Sequence, residues 1–594
     1  MLYTCLIYRQ ALSTGKSLLL SHSQHNSPSC YNIRVVKKIL DQSKIILLLI
    51  IFLGAFFRFY DINWDQNQHL HPDERFLTMV GTDMKVPPNF ATYLDPNVSS
   101  MNPANIGHSF YVYGTFPVIA NKLLAIATKT DNYNDFTLLG RMLSGFVDLL
   151  MVAIVFKTAE LFERKEKLRP SVKYWAAFFY AITVLPIQLS HFFTVDTFLN
   201  AFVFLSFYSA LSFSYSKRII WLLLSGLFLG LAIASKATAI FIFPLLLYFF
   251  INAYSEKRKI QKKHLLRLLG DILLFGITAY LAGRIADPYL FQNPNVLDPT
   301  PSQLLIKNLK DLQAWSDPKA WYPPGVQWIH KTPILFGLKN LTLYGIGIGY
   351  MVYVVLGGVF LIKKIKNLAL YIIGGWVILF FLYQSLQYVQ TMRYFIMIYP
   401  FLALFAGIGF SYLSQLIPKY VSGILLFFVI IWPMLFFSIY TKPVTRYTAS
   451  DWIYKNLPTN SVILTESWDD GLPLPIYDMS QRNYKPEQLG VFDPDIPQKW
   501  MTMNDLLNKG DYLILSSNRG WGSIPTVPER FPLMKKFYED LFSGKTNYQE
   551  IKEFTSYPSL TYLGIPITIP DDNAEEAFTV YDHPKVLIFK NKNK

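Results

Sequence analysis

The sequence predicts an all-α membrane protein with many spanning helices and a small α/β domain at its carboxyl end. Of its 594 residues, 52% are hydrophobic and 16% are charged, and the mean hydropathy is +0.26. This balance is too apolar for a soluble multi-domain protein or a disordered chain. Aromatic residues make up 16% of the chain, which is typical of proteins whose rings line a membrane interface.

Apolar segments long enough to cross a bilayer, which requires roughly 20 residues, recur along the chain. The run 219–254 is too long for one crossing, so we expect two short spans that turn at Ser235–Lys236. Residues 107–128 include Gly, Pro, Asn and Lys, and we expect a helix lying in the interface there, with a true span as the alternative. About 11 spans are predicted, near 43–60, 138–158, 172–188, 196–215, 219–234, 237–254, 266–283, 342–362, 367–385, 394–413 and 420–440.

The net charge of +15 is concentrated in alternate loops, which argues against a nucleic-acid partner and predicts the orientation. With the amino terminus inside, the short outer turns hold only Lys236 and Arg393, as the positive-inside rule requires. An odd number of spans then places the carboxyl terminus outside. The inner loops hold the basic clusters 157–173, 217–218, 257–267 and 363–366.

This orientation predicts three parts, all belonging to a protein of the cell membrane. A polar cytoplasmic tail covers 1–38, and a membrane domain covers 39–440 with large outer loops at 61–137 and 284–341. An extracytoplasmic α/β domain covers 441–594. The second outer loop is rich in Trp and Pro, which is consistent with a lid over a groove or with interfacial anchoring. The only cysteines, Cys5 and Cys30, precede the first span, so no disulfide can join downstream segments.

The last part alternates short apolar runs with helical patterns, which is typical of a small α/β domain. Buried strands are expected at 461–465 and 512–516, and 577–581 with 586–589 is expected to form a hairpin or edge pair. Helices are predicted at 450–457, 500–508 and 528–543.

The first outer loop begins with DINWDQNQHLHPDERF and carries the strongest candidates for chemistry. Asp73 and Glu74 lie where a carboxylate at the membrane surface could act as a general base. His69 and His71 could bind a metal with Asp73, but this spacing without a distant partner is a weak metal signal. A solvated acidic loop is the alternative interpretation.

Several other charged or titratable residues lie within or beside apolar segments, where charge is costly and indicates a functional site. Arg141 and Asp148 are seven positions apart on one helix face, so they could form an internal pair or serve a site. Lys236 and Arg393 could hold an anionic lipid headgroup or extend to the interface. The remaining members of this set are His191, Asp196 and Arg284.

Taken in order, these motifs resemble those of membrane glycosyltransferases with the GT-C fold, particularly glycosyltransferase family 39. This family includes protein O-mannosyltransferases and bacterial transferases that use a phospholipid carrier. The resemblance covers about 40–440, and the tail segments ASDWIYKNLP, TESWDDGLP and FTVYDHPKVLIF look like the external domain of bacterial members. It is carried by HPDERF, GRMLSG, SHFFTVDTF, SKATA and RYFIMIYPFLALFAG.

The resemblance implies transfer of a sugar, with inversion, from a polyprenyl-phosphate hexose to an acceptor hydroxyl on the outer face. It implies Asp73 as catalytic base and Glu74 as the residue that positions the acceptor. Donor phosphate would be bound by Arg141, Lys236 and Arg393, while His71, His191, Asp196 and Arg284 are further site candidates. No cofactor is implied beyond the lipid-linked donor, and a divalent cation has no support. A glycan, a lipid or a protein could be the acceptor, and the oligomeric state is open.

Three other functions are compatible with the composition. A transporter would show repeated broken helices with charges at mid-membrane, whereas no repeat is found and the charges cluster at one face. A glycolipid-binding or flippase-like protein would use the same groove without catalysis. An oligosaccharyltransferase is weakly suggested by ESWDDG at 466–471, although the first loop lacks Asp-x-Asp.

Overall fold

The computed structural model describes residues 29–256, 259–260, 262–476 and 483–594. The chain divides into two compact units, 1–48 and 49–594. Most of the predicted tail lies outside the described residues, and a helix begins within it at Ser29. The basic residues Lys257 and Arg258 also lie outside the described ranges.

The regular secondary structure of the described residues up to 437 is helical, apart from the two-residue strands β1 (Ser255–Glu256) and β2 (Lys259–Ile260). The α-helices are α1 (Ser29–Phe59), α2 (Pro72–Asp83), α3 (Phe90–Leu94), α4 (Phe116–Thr128), α5 (Tyr133–Glu166), α6 (Val172–Ala181), α7 (Val184–Ser190), α8 (Val195–Ser216), α9 (Ile219–Ile233), α10 (Phe243–Ala253), α11 (Lys262–Ala286), α12 (Gln303–Trp315), α13 (Leu335–Asn340), α14 (Ile348–Phe360), α15 (Leu368–Ser385), α16 (Tyr399–Leu413) and α17 (Lys419–Phe437).

Among the described residues, eight helical segments are long and apolar enough to cross a membrane, and the bent pair α6–α7 makes nine. The predicted class of a multi-pass helical membrane protein is confirmed, whereas the count of 11 spans and the orientation stay predictions. The eight segments are Gln42–Phe59, Tyr133–Glu166, Val195–Ser216, His264–Ala286, Ile348–Ile365, Leu368–Ser385, Met392–Leu413 and Lys419–Asn456.

Two long apolar runs are interrupted. The run 219–254 breaks at 234–236 between α9 and a short 3-10 helix (Ala237–Ile242), as the sequence predicts. The predicted span 172–188 bends by 51° between α6 and α7. Because Pro186 has no N–H to donate to the carbonyl of Ile182, a straight helix cannot continue through this point.

The first outer loop folds back onto the break at 234–236. The N–H of Gly114 donates to the carbonyl of Ser235 at 3.0 Å, and the N–H of Phe116 donates to that of Ala234 at 3.2 Å. A Cβ on Gly114 would lie 2.0 Å from the Ala234 oxygen, so only glycine allows this approach. The contact holds the turn that carries Lys236 beneath the outer loop.

The carboxyl-terminal domain is built on one five-stranded sheet of order β4-β3-β5-β7-β6. Strand β3 runs parallel to β4 and β5, while β7 runs antiparallel to β5 and β6. The strands are β3 (Val462–Glu466), β4 (Lys485–Leu489), β5 (Tyr512–Leu515), β6 (Tyr548–Phe554) and β7 (Val586–Asn591). The helices are α18 (Thr445–Asn456), α19 (Pro497–Lys509), α20 (Arg519–Ser523), α21 (Pro532–Phe542) and α22 (Glu576–Thr579).

The predicted hairpin of 577–581 with 586–589 is wrong. Residues 576–579 form α22, and β7 is an interior strand between β5 and β6. Phe578 packs against Tyr344 and Phe436 of the membrane region, at ring-centroid distances of 5.6 and 5.3 Å. Its apolar character therefore reflects burial against helices rather than a place in the sheet.

The second outer loop packs against the carboxyl-terminal domain. Val326 is buried in that domain's core, and the ring of Trp321 lies 5.6 Å from that of Phe531. Arg530 donates to the carbonyl of Pro318 at 2.8 Å and lies over the Trp321 ring. For Trp321, anchoring in a bilayer is thus replaced by docking onto a protein surface.

His583 joins the end of this domain to the membrane helices. Its Nδ1 lies 2.5 Å from Asp582 and its Nε2 lies 2.9 Å from Asp571. The second oxygen of Asp582 accepts hydrogen bonds from Gln188 and Tyr440. Burial alone would lower the pKa of His583, but Asp582 and Asp571 raise it to about 10.

We predict that His583→Gln lowers the unfolding temperature of the detergent-solubilised protein at pH 7. Removing one partner of a buried ion pair costs about 3–5 kcal/mol. Because folding raises the pKa of His583, its contribution is complete below about 6.5 and is lost as pH rises through about 10. The difference between variant and wild type should therefore shrink from pH 6.5 to 10.

The matched control is His330→Gln, because His330 is exposed and pairs with an exposed Glu529. It should leave the unfolding temperature unchanged across this range. A constant difference between His583→Gln and wild type at all pH values would contradict the assigned charge.

Candidate active site

Asp73 lies in the first turn of α2, at a helix end that its neighbours define. His71 is the N-cap, and its Nδ1 accepts a hydrogen bond from the N–H of Glu74 at 3.3 Å. Pro72 occupies the first helical position, where its missing N–H costs nothing. The positive end of the helix dipole therefore supports the negative charge of Asp73.

The Asp73 carboxylate forms an ion pair with Arg393 and accepts a hydrogen bond from the hydroxyl of Tyr113. About a fifth of each charged side chain is exposed. Burial would raise the pKa of Asp73, but Arg393, His71 and Tyr113 lower it to about 2. Asp73 is thus an ionised carboxylate that remains accessible.

A second ion pair lies beside the first. Lys236 Nζ donates to Asp196 at 2.6 Å and lies 4.6 Å from the ring centroid of Tyr394. The guanidinium of Arg393 also lies over this ring, at 5.7 Å. Two ion pairs from four separate segments therefore meet at one tyrosine, whose ring contacts both cations.

One buried donor of Arg393, its Nε–H, is available for a ligand. Within the described residues, its Nε finds no hydrogen-bond acceptor. A buried donor without a partner is costly and is an exception that requires an explanation. An anionic ligand beside Asp73 would satisfy it.

Behind Asp73, a fully buried cluster holds α2 against α5. All five N–H donors of Arg141 are used. Four go to the carboxylates of Asp65 and Glu74 at 2.5–3.0 Å, and the fifth goes to the carbonyl of Ile62. Glu74 also accepts the N–H of Phe193 at 2.7 Å.

This cluster changes the roles expected for two residues. Arg141 has no donor left for a phosphate, and its side chain is 0% exposed. Glu74 is equally buried, so it does not face an acceptor. Both residues instead position α2 and, with it, Asp73.

The internal pair expected between Arg141 and Asp148 is not formed. Asp148 binds Arg58 at 2.7 Å and Tyr180 at 2.5 Å. Two turns of helix separate positions 141 and 148 by about 10 Å along the axis. Each side chain therefore takes a nearer partner from another segment.

Of the remaining candidates, His71 lies at the site and two others lie apart from it. Burial lowers the pKa of His71 to about 4, so its ring is neutral at pH 7. The ring nitrogens of His191 lie 2.9 and 3.0 Å from the carbonyls of Ile187 and Tyr60. Arg284 donates to backbone carbonyls of its own loop, including that of Pro288, which indicates a structural role.

The sequence did not indicate the contributions of the carboxyl-terminal domain and of three tyrosines. The ring of Tyr581 lies 4.3 Å from that of His71, and Glu575 accepts the N–H of Met392, next to Arg393. Tyr113 and Tyr394 are the other two. The sequence could have indicated Tyr394, because it directly follows Arg393. Tyr113 and Tyr581 are far in sequence from the other residues of the site.

The segment ESWDDG forms a turn after β3 that also reaches the first outer loop. Asp470 accepts hydrogen bonds from Arg75 at 3.2 Å, and Asp469 pairs with Arg446 at 2.6 Å. In the part of the chain that the structure describes, no group of three or more His, Cys, Asp or Glu side chains is arranged to hold a metal ion. His69, which is only a weak candidate for a metal ligand, contacts Asn134 and Thr137.

Comparison with known proteins supports the resemblance seen in the motifs. Residues 122–280 match the family model described as dolichyl-phosphate-mannose-protein mannosyltransferase. No curated protein matches the whole sequence significantly.

Two solved structures are similar over most of the chain. The Archaeoglobus fulgidus oligosaccharyltransferase AglB, in complex with an inhibitory peptide and a dolichol-phosphate, is 13% identical with a TM-score of 0.45, covering 93% of this chain and 89% of that one. ArnT from Cupriavidus metallidurans, bound to undecaprenyl phosphate, is 11% identical with a TM-score of 0.43, covering 93% and 98%.

We predict that Arg141→Lys lowers the unfolding temperature strongly, by the equivalent of about 3–5 kcal/mol. Lysine has three donors on one atom and cannot bridge two buried carboxylates in the plane of a guanidinium. Tryptophan fluorescence during heating of the solubilised protein measures the effect. Arg164→Lys, on the exposed end of the same helix, is the control. Equal unfolding temperatures for the two variants would contradict the role of Arg141 in holding α2 against α5.

Proposed function

We propose that the protein is a membrane glycosyltransferase that moves a hexose from a polyprenyl-phosphate donor to an acceptor hydroxyl. The observation that carries this proposal is the ionised, accessible Asp73 next to two cations, Arg393 and Lys236. The family match over 122–280 supports the same class of reaction.

The two cations suit the phosphate of the donor. Arg393 has a buried Nε without a partner in the described region, and Lys236 Nζ has three donors, of which Asp196 accepts one. The guanidinium fork matches phosphate geometry, and the ammonium group adds a point charge. The undecaprenyl phosphate bound by ArnT is a ligand of this chemistry.

Asp73 is proposed as the general base. The acceptor oxygen attacks the anomeric carbon while its proton passes to the Asp73 carboxylate. The bond from that carbon to the phosphate oxygen breaks, with inversion at the carbon, and the electron pair leaves with the lipid phosphate. Arg393 and Lys236 stabilise the charge that develops on the leaving phosphate, so no general acid is required.

The free enzyme holds Asp73 as a very weak base, and donor binding is proposed to change this. A phosphate that engages Arg393 competes with Asp73 for the guanidinium. Losing that pairing raises the pKa of the carboxyl toward values at which it accepts a proton more readily. Binding of donor would in this way prepare the base for catalysis.

The reaction is assigned to the outer face of the cell membrane. The basic loops at 157–173, 217–218, 257–267 and 363–366 support this orientation through the positive-inside rule. The loops that carry Asp73, Lys236 and Arg393 then all lie outside, together with the carboxyl-terminal domain.

We predict that Asp73→Asn lowers the rate of transfer by about 10²–10⁴-fold, because the base is removed while the helix end is kept. The assay follows transfer from a labelled polyprenyl-phosphate hexose to membrane extracts of a strain lacking the gene. Asp83→Asn, at the exposed end of the same helix, is the matched control and should retain activity. Normal turnover by a correctly inserted Asp73→Asn variant would reject the assignment.

We predict that Lys236→Gln raises the KM for the donor by about tenfold, since a hydrogen bond to a charged group is worth about 1.5–3 kcal/mol. Lys236→Arg keeps the charge and should recover most of the affinity. Lys442→Gln, an exposed lysine outside the site, controls for net charge. An unchanged donor KM in Lys236→Gln would exclude Lys236 from phosphate binding.

A further inference from the structure

Four aromatic side chains form a continuous row across the outer surface, which we call the aromatic row. The ring centroids of Phe110 and Trp315 lie 4.9 Å apart. Trp315 stacks on Tyr322 at 5.4 Å, and Tyr322 meets Trp468 edge to face at 6.2 Å. The row thus joins both outer loops to the carboxyl-terminal domain.

Three members of the row are exposed to an extent unusual for large aromatic side chains. The exposed fractions are 37% for Phe110, 40% for Trp315 and 53% for Trp468. Exposed rings that touch one another in series form a patch, and such patches mark binding sites. The row is therefore a candidate ligand surface.

One end of the row, at Trp468, lies beside the helix that carries Asp73. Burial raises the pKa of the Tyr322 hydroxyl, and the nearby charge of Asp73 raises it further. Asp470, two positions after Trp468, accepts hydrogen bonds at 3.2 Å from Arg75, which follows Asp73 by two positions in α2. A ligand lying on the row would direct one end toward Asp73.

The exposed end of the row is held in a demanding conformation. Trp468 has a φ of 70°, in the left-handed region that bulky residues rarely adopt. Its carbonyl accepts a hydrogen bond from Arg519, which is fixed by Glu576 at 2.7 Å. Maintaining an exposed tryptophan in such a turn costs free energy, and strain of this kind is concentrated at functional sites.

Polar groups accompany the rings. Next to Trp468, the Asp470 carboxylate pairs with Arg75, whose side chain is 40% exposed. A lipid tail would gain nothing from these charges, whereas a sugar ring presents C–H groups on its faces and hydroxyls around its edge. Aromatic faces flanked by a partly buried carboxylate and an exposed guanidinium match that chemistry.

We propose that the aromatic row binds successive pyranose rings of a glycan acceptor and guides its terminal hydroxyl to Asp73. This inference rests on the proposed function for its direction, since it names the class of acceptor. The binding surface itself does not depend on catalysis.

The test measures binding separately from activity. The full chain in nanodiscs is titrated with maltohexaose, cellohexaose, chitohexaose and mannohexaose, and its intrinsic tryptophan fluorescence is recorded. We expect at least one hexasaccharide to bind, and Trp315→Ala and Trp468→Ala each to weaken that binding by about tenfold. Trp468→Phe keeps a ring and should restore most of the affinity.

Two controls separate the possible outcomes. Trp452→Ala, which packs on Phe554 away from the row, should bind normally. Asp73→Asn should also bind the glycan normally. The binding result therefore stays valid even if the activity assay shows that Asp73 is not the general base. The proposal is overturned if none of the four glycans binds, or if the row variants bind as tightly as the wild-type protein. A loss of polyprenyl-phosphate binding in the row variants would also overturn it, by assigning the row to lipid.

Discussion

The architecture of the site depends on the buried guanidinium of Arg141. A charge without water is costly unless every hydrogen bond is made, and here five donors meet two carboxylates and one carbonyl. This requirement fixes α2 against α5. Because adjacent helical positions point about 100° apart, burying Glu74 turns its neighbour Asp73 outward. The acidic pair is therefore divided into one structural and one accessible carboxylate.

The accessible carboxylate meets groups that arrive from distant parts of the chain. The turn with Lys236 is held by the first outer loop through Gly114, and Arg393 follows a residue whose N–H is bound by Glu575. Tyr581 covers His71, which caps the helix of Asp73. The carboxyl-terminal domain is thus a wall of the candidate site and not an appendage, and the packing of Val326 in its core extends this wall to the second outer loop.

The proposed chemistry follows from this division of roles. Cations beside an accessible carboxylate can hold a lipid phosphate, while the aromatic row provides a path for a second substrate. The two ligands would reach the same carboxylate from different groups, because the cations follow apolar helical segments and the row lies on the large loops and the carboxyl-terminal domain. A transfer reaction requires such a meeting point, with the base between the acceptor and the donor phosphate.

Composition and the spacing of apolar runs were enough to determine the fold class, since crossing a bilayer demands long apolar helices whatever their packing. They also drew attention to Asp73, Lys236, Arg393 and Asp196, because charge beside an apolar segment is rare, and the structure brings these four side chains together. The edge strands β4 and β6 were not predicted from the sequence, because their exposed residues show no apolar pattern. Only the tertiary structure could show that Arg141 binds Glu74 rather than Asp148 or a phosphate. The choice among charged partners depends on distances between segments that are far apart in the chain, and these distances cannot be obtained from the sequence alone.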